Sequence, residues 1–88
     1  MDASTFEFTI SIPRDAQFVS MVRGLAVHAA RYASCANSDA ETFAGSVEAA
    51  VHACLRETSP NATISVVVRR DAGPLEFLID GRTIAVEP

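Results

Sequence analysis

Leu75-Glu76-Phe77-Leu78-Ile79-Asp80-Gly81-Arg82-Thr83-Ile84-Ala85-Val86 is the stretch from which the fold is read. Leu75, Phe77 and Ile79 alternate with Glu76 and Leu78, which is the period of a strand with one buried face. Asp80-Gly81 is a two-residue hairpin signal, because the turn that matches strand twist needs positive φ at its central residues. Ile84 and Val86 then resume the inner face of a short partner strand. The stretch therefore predicts two antiparallel strands over 75–79 and 82–87.

Working backwards, Asp71-Ala72-Gly73-Pro74 has turn composition. Before it, Ile64, Val66 and Val68 alternate with Ser65, Val67 and Arg69, which predicts a strand over 62–70. Thr58-Ser59-Pro60-Asn61 is a further turn. At the start of the chain, Phe6, Phe8, Ile10 and Ile12 alternate with Thr5, Glu7, Thr9 and Ser11. That is a strand over 5–12, ended by Pro13, which cannot donate to a ladder.

The middle of the chain has helical spacing. Asp15 is placed to cap a helix over 15–34 whose stripe is Phe18, Val22, Leu25, Ala29 and Tyr32, widened by Met21. Gly24 costs about 1 kcal/mol relative to alanine there and is expected where another backbone comes close. After the connection Cys35-Ala36-Asn37, Ser38-Asp39-Ala40-Glu41 has the pattern of a capping box. It opens a helix over 39–57 with Phe43, Val47, Ala50, Val51, Cys54 and Leu55 inward. Ala40, Ala44 and Gly45 are small enough for close helix approach. The short connection predicts antiparallel helices. The expected class is α+β: a two-layer βααβββ domain, with both helices on one face of a mainly antiparallel four-stranded sheet.

With 88 residues and 49% hydrophobic content the chain is read as one domain with a modest core. A net charge of −4, with arginines scattered among acids, argues against a nucleic-acid partner. No apolar run is long enough to span a bilayer, so no membrane partner is expected. Met1-Asp2-Ala3-Ser4-Thr5 lacks the basic and apolar segments of a secretion signal. Cys35 and Cys54 are then expected as reduced, buried thiols in the cytosol. The sequon Asn61-Ala62-Thr63 has no meaning in that compartment.

The order of elements, the Phe8-Thr9-Ile10-Ser11-Ile12-Pro13 strand and the run Val47-Glu48-Ala49-Ala50-Val51-His52-Ala53-Cys54 resemble the histidine-kinase-like ATPase superfamily. Within it they look like the anti-sigma-factor serine kinases of bacteria, whose second helix carries Glu-Ala-x-x-Asn-Ala. The resemblance covers about residues 5–80. It implies Glu48 as general base, and Glu48, His52, Asp80 and Gly81 as remnants of a site for ATP with magnesium. Three departures matter. The magnesium-binding asparagine is replaced by His52, and magnesium prefers oxygen ligands. The Asp-x-Gly-x-Gly segment is reduced to Asp80-Gly81-Arg82. The glycine-rich lid and the later strands have no counterpart before Pro88. The resemblance therefore implies a frame that has lost its ATP site, with no cofactor, and a regulatory partner such as a sigma factor or an anti-sigma antagonist. It also implies a homodimer. The alternative is a reduced ATP-binding serine kinase, possibly one completed by another chain that supplies the lid.

Other residues admit sharper and plainer readings. Glu48 and His52 lie at i and i+4, which suits an acid–base pair and equally a helix-stabilising pair worth a few tenths of a kcal/mol; the plainer reading is preferred. His28, Cys35, His52 and Cys54 have no spacing that converges on a metal tetrahedron. Cys35 and Cys54 lack the context of a nucleophile. Arg69, Arg70 and Arg82 are read as solvated strand ends. Val67, Leu78 and Ala85 interrupt the polar face of the sheet and are the candidates for a partner-binding patch. The sequence thus points to a non-catalytic module that works by surface complementarity.

Overall fold

An unbroken antiparallel ladder runs from Thr5↔Asp71 to Pro13↔Thr63 and joins β1 (Thr5–Pro13) to β2 (Thr63–Asp71). It continues through β3 (Leu75–Ile79) and β4 (Arg82–Val86), giving a four-stranded sheet of order β1-β2-β3-β4. Helices α1 (Val19–Tyr32) and α2 (Asn37–Arg56) lie between β1 and β2 in the chain. The computed structural model describes residues 5–57, 62–71 and 73–87. The turn expected at 58–61, the sequon's Asn61 and the Ala72 position of the next turn lie outside those residues.

The α+β class and the element order follow the sequence reading. At the β3–β4 turn, Asp80 has φ 48° and Gly81 φ 90°, the two positive values a type I′ hairpin requires. Asp80 has a second local role. Its backbone N–H donates to Ser65 O at 3.0 Å, and its carboxylate accepts from Ser65 N–H at 2.9 Å. The side chain thus takes over a bond that the turning main chain cannot complete.

The helix layer meets the sheet in one hydrophobic cluster. Val22, Ala26 and Ala30 of α1 and Ala40, Ala44, Val47 and Val51 of α2 are buried against each other and against Ile64, Val66, Val68, Leu75, Phe77 and Ile79. Phe43 meets Phe77 edge-on with ring centroids 5.3 Å apart. Arg23, early in α1, reaches Glu41 at 3.1 Å and Glu48 at 3.9 Å. With only four residues between the helices, α2 must run back along α1.

Several local expectations are corrected. The first helix does not begin at 15: Asp15 caps a short 3-10 turn at Ala16–Phe18 by accepting from Gln17 N–H at 3.0 Å, and α1 starts at Val19. The buried residues of α1 are Val19, Val22, Ala26, Val27 and Ala30; of the expected stripe Val22 is among them and Phe18, Leu25 and Ala29 pack partly buried at its edge, while Tyr32 is 66% exposed. The capping box is not formed. α2 begins at Asn37 with Ala36 at the N-cap and no side-chain cap bond, and Glu41, which was to reach back, pairs with Arg23 instead.

α1 stops through its backbone. Ser34 has φ 67°, Ser34 N–H donates to Arg31 O and Cys35 N–H donates to Ala30 O, both at 3.0 Å. This is a Schellman closure with serine where glycine is usual, and it buries Cys35.

Gly24 and Gly45 do not mark close backbone approach either: a Cβ at each would meet nothing within 4 Å. Gly24→Ala and Gly45→Ala are therefore each expected to stabilise the domain by up to about 1 kcal/mol through helix propensity alone. In a domain of this size that is a rise of about 4–8 °C in melting temperature, checked by thermal denaturation followed by circular dichroism. An unchanged or lower value would show that these positions need glycine.

Candidate functional site

The face of the sheet turned away from the helices is set by strand register. Thr9↔Val67, Val67↔Leu78 and Leu78↔Thr83 are direct cross-strand partners, so Thr9, Val67, Leu78 and Thr83 form one row across all four strands. Glu7, Arg69, Glu76 and Ala85 form the next row. Two of the three patch candidates, Val67 and Leu78, therefore stand side by side, both half-buried, and exposed Ala85 lies diagonally beside Leu78. Arg69 donates to Glu76 at 2.9 Å, which closes the apolar centre on one side with an ion pair. Thr9 and Thr83 bound it on the others.

An open depression continues from this face, lined by Thr5, Phe6, Glu7, Arg69, Arg70, Asp71 and Glu76. Both guanidinium groups in it are committed. Arg69 holds Glu76, while Arg70 donates to Gly73 O at 3.1 Å and to Ala33 O at 3.2 Å. Arg70 thus ties the end of β2 to the last carbonyls of α1, where a cation is favoured by the helix dipole. Glu7 and Asp71 remain as exposed carboxylates.

At the other end of the molecule Arg14 does the same for α2. It donates to the backbone carbonyls of Cys54 and, at 3.5 Å, of Glu57, and it pairs with Asp80 at 3.4 Å. Arg82, on the inner side of β4, donates to Cys54 Sγ and pairs with Glu57. Arg70, read as a solvated strand end, is half-buried and ties the layers together, and Arg82, which is exposed as expected, also reaches across to α2. Sequence reading missed them, and missed Arg14, because the bonds that join the layers, from Arg70 to Ala33, Arg14 to Cys54 and Arg82 to Cys54 and Glu57, span 25 or more residues. No local spacing signals such a bond.

The residues that the ATPase resemblance singled out fall in separate networks. Glu48 is half-buried on α2 and faces Arg23 of α1. His52 is exposed on the same helix. Asp80 and Gly81 form the hairpin turn, and both carboxylate oxygens of Asp80 are engaged, one by Ser65 N–H and one by Arg14. Glu48 and Asp80 share no bonding partner.

Cys35 and Cys54 are both free and buried. Burial pushes the Cys35 thiol above its ordinary range; Arg70 pulls against this, while Asp39 and Glu87 add to it. A thiol so placed stays protonated and is a poor nucleophile at neutral pH. Among the described residues, no three His, Cys, Asp or Glu side chains gather as a metal site, no buried side-chain nitrogen or oxygen lacks a partner, and no helix is long and apolar enough to cross a membrane. No protein-family model, no curated protein and no solved structure matches the chain.

Proposed function

We propose that the chain is a regulatory protein-binding domain that works without catalysis, through the outer face of its sheet. The observation that carries this reading is the pairing of Val67 with Leu78 across β2 and β3, beside Ala85 and within a border of hydroxyl and charged groups. A small apolar centre inside a polar rim has the anatomy of a protein contact. The partner that suits it presents an apolar side chain to Val67 and Leu78, and donors to Glu7 and Asp71. The resemblance in the sequence suggests a sigma factor or an anti-sigma antagonist.

The test is a pull-down from the native cell with wild-type and Leu78→Arg chains as paired baits. A protein retained by the wild type and lost by Leu78→Arg, with the variant's circular dichroism unchanged, is the expected result. Equal retention by both baits overturns the outer face as the contact. In parallel, ATP with magnesium is expected to leave the melting temperature unmoved. A ligand that binds only the native state at 100 times its Kd adds about 2.7 kcal/mol of stability. A clear rise would therefore return the kinase reading, with Glu48, His52, Asp80 and Gly81 as its residues.

A further inference from the structure

The two edges of the sheet are built differently. β4 is short, α2 packs over it, and it points Arg82 inward onto Cys54 and Glu57. A short strand with an inward charge is a known guard against edge pairing. β1 spans Thr5–Pro13 without interruption, and its inner side chains are Phe6, Phe8, Ile10 and Ile12, with no charge among them. Only Ile12 is fully covered; Phe8 is 42% exposed and stacks on Phe6, which in turn meets the exposed Tyr32 of α1.

Among the described residues, the outer backbone of this edge also has no strand beside it. Arg14 N–H donates to Ala62 O, one step beyond the Pro13↔Thr63 pair, so even-numbered residues of β1 direct their main-chain groups to β2. Thr5, Glu7, Thr9 and Ser11 therefore present theirs to the outside. Pro13, next in that series, has no N–H to offer.

We propose that β1 pairs antiparallel with β1 of a second copy about a two-fold axis at Phe8, making one continuous sheet with all helices on the same side. The sequence of the edge selects this occupant and this register. With the axis at Phe8, Thr5 faces Ser11, Phe6 faces Ile10, Glu7 faces Thr9 and Phe8 faces Phe8, all using outward groups that exist. About eight ladder bonds result from the four hydrogen-bonded pairs. An axis at Glu7 would set two carboxylates opposite each other, which is destabilising. An axis at Thr9 would require a donor from Pro13. A shift that pairs odd with even residues would set inner side chains against outer ones. The inference stands apart from the proposed function, because pairing at β1 leaves Val67, Leu78 and Ala85 open.

Sedimentation equilibrium of the full chain tests it. The mass is expected to rise with concentration to twice 9.4 kDa, to stay at the single-chain value in Phe8→Lys, and to dimerise as in wild type in Leu78→Arg. The register has its own measurement. Phe8 and its symmetry mate form a non-hydrogen-bonded pair with Cα atoms about 4.5 Å apart, inside the range of a disulfide of roughly 4.4–6.8 Å. Phe8→Cys is therefore expected to give a covalent dimer on mild oxidation, with the native thiols shielded by burial. A wild-type chain that remains monomeric at all concentrations overturns the proposal. So does a dimer that survives Phe8→Lys, or one in which Phe8→Cys fails to cross-link.

Discussion

Phe77→Ala is expected to destabilise the domain by about 3–5 kcal/mol, the range for removing a large aromatic from a packed core. Phe77 is fully buried in the middle of β3 and lies edge-on to Phe43 of α2. Its loss opens a cavity where the helix layer meets the sheet, and it removes an aromatic pair worth about 0.5–1.5 kcal/mol beyond area burial. Native domains carry about 0.05–0.15 kcal/mol of stability per residue, so this single change consumes a large part of the total. Urea denaturation of the single variants and of Phe43→Ala with Phe77→Ala checks both numbers. The double variant should lose less than the sum, because the two singles remove the same contact. A loss under 1 kcal/mol for Phe77→Ala would mean that the helix layer does not rest on β3 as described.

Arg14→Ala is expected to cost about 1.5–3 kcal/mol, the range for hydrogen bonds to charged groups. The Arg14 side chain is only 13% exposed and serves the carbonyls of Cys54 and Glu57 as well as the Asp80 carboxylate. Its removal takes from the end of α2 the guanidinium that bonds its carbonyls, although Arg56 stays in the last turn and Arg82 stays on Cys54 and Glu57, and it leaves the Asp80 carboxylate with Ser65 N–H as its remaining partner. Amide exchange in the last turn of α2 should rise more than exchange in α1, since the lost bonds are local to that end. Arg14→Lys should recover part of the stability, because charge at the helix terminus is restored while the planar fork that reaches several acceptors is not. Equal stability of Arg14→Ala and wild type would show that the tie carries no load.

Strand and helix order were legible because each rests on a short-range period. Alternation in Phe6–Ile12, Ile64–Val68 and Leu75–Ile79 marks strands whichever neighbour they find, and Asp80-Gly81 can close only a tight hairpin. The ends of the helices were less legible. The Ser38–Glu41 pattern was a valid start signal, but Arg23 competes for Glu41 from another helix, and helix termini yield to such partners. The exit of α1 was hidden because Ser34 does the work of a glycine there.

The candidate patch shows the same division. That Val67, Leu78 and Ala85 lie on the polar face followed from alternation alone. That Val67 and Leu78 are direct cross-strand partners, with Ala85 diagonal to Leu78, followed from register, which long-range pairing decides. Alternation also marked Phe8 as an inward residue, yet it stands 42% exposed because the helix layer leaves the outer side of β1 uncovered.

What the sequence by itself determined was the class of each element, the hairpin and the face to which each strand residue belongs, since those depend on periods of two and about 3.6 residues within one segment. What only the tertiary structure decided was which edge of the sheet stands open, which arginines tie the layers together and how Glu48 and Asp80 come to lie in separate networks. These depend on contacts between residues far apart in the chain, where the energy comes from burial and charge in three dimensions and leaves no mark in local spacing.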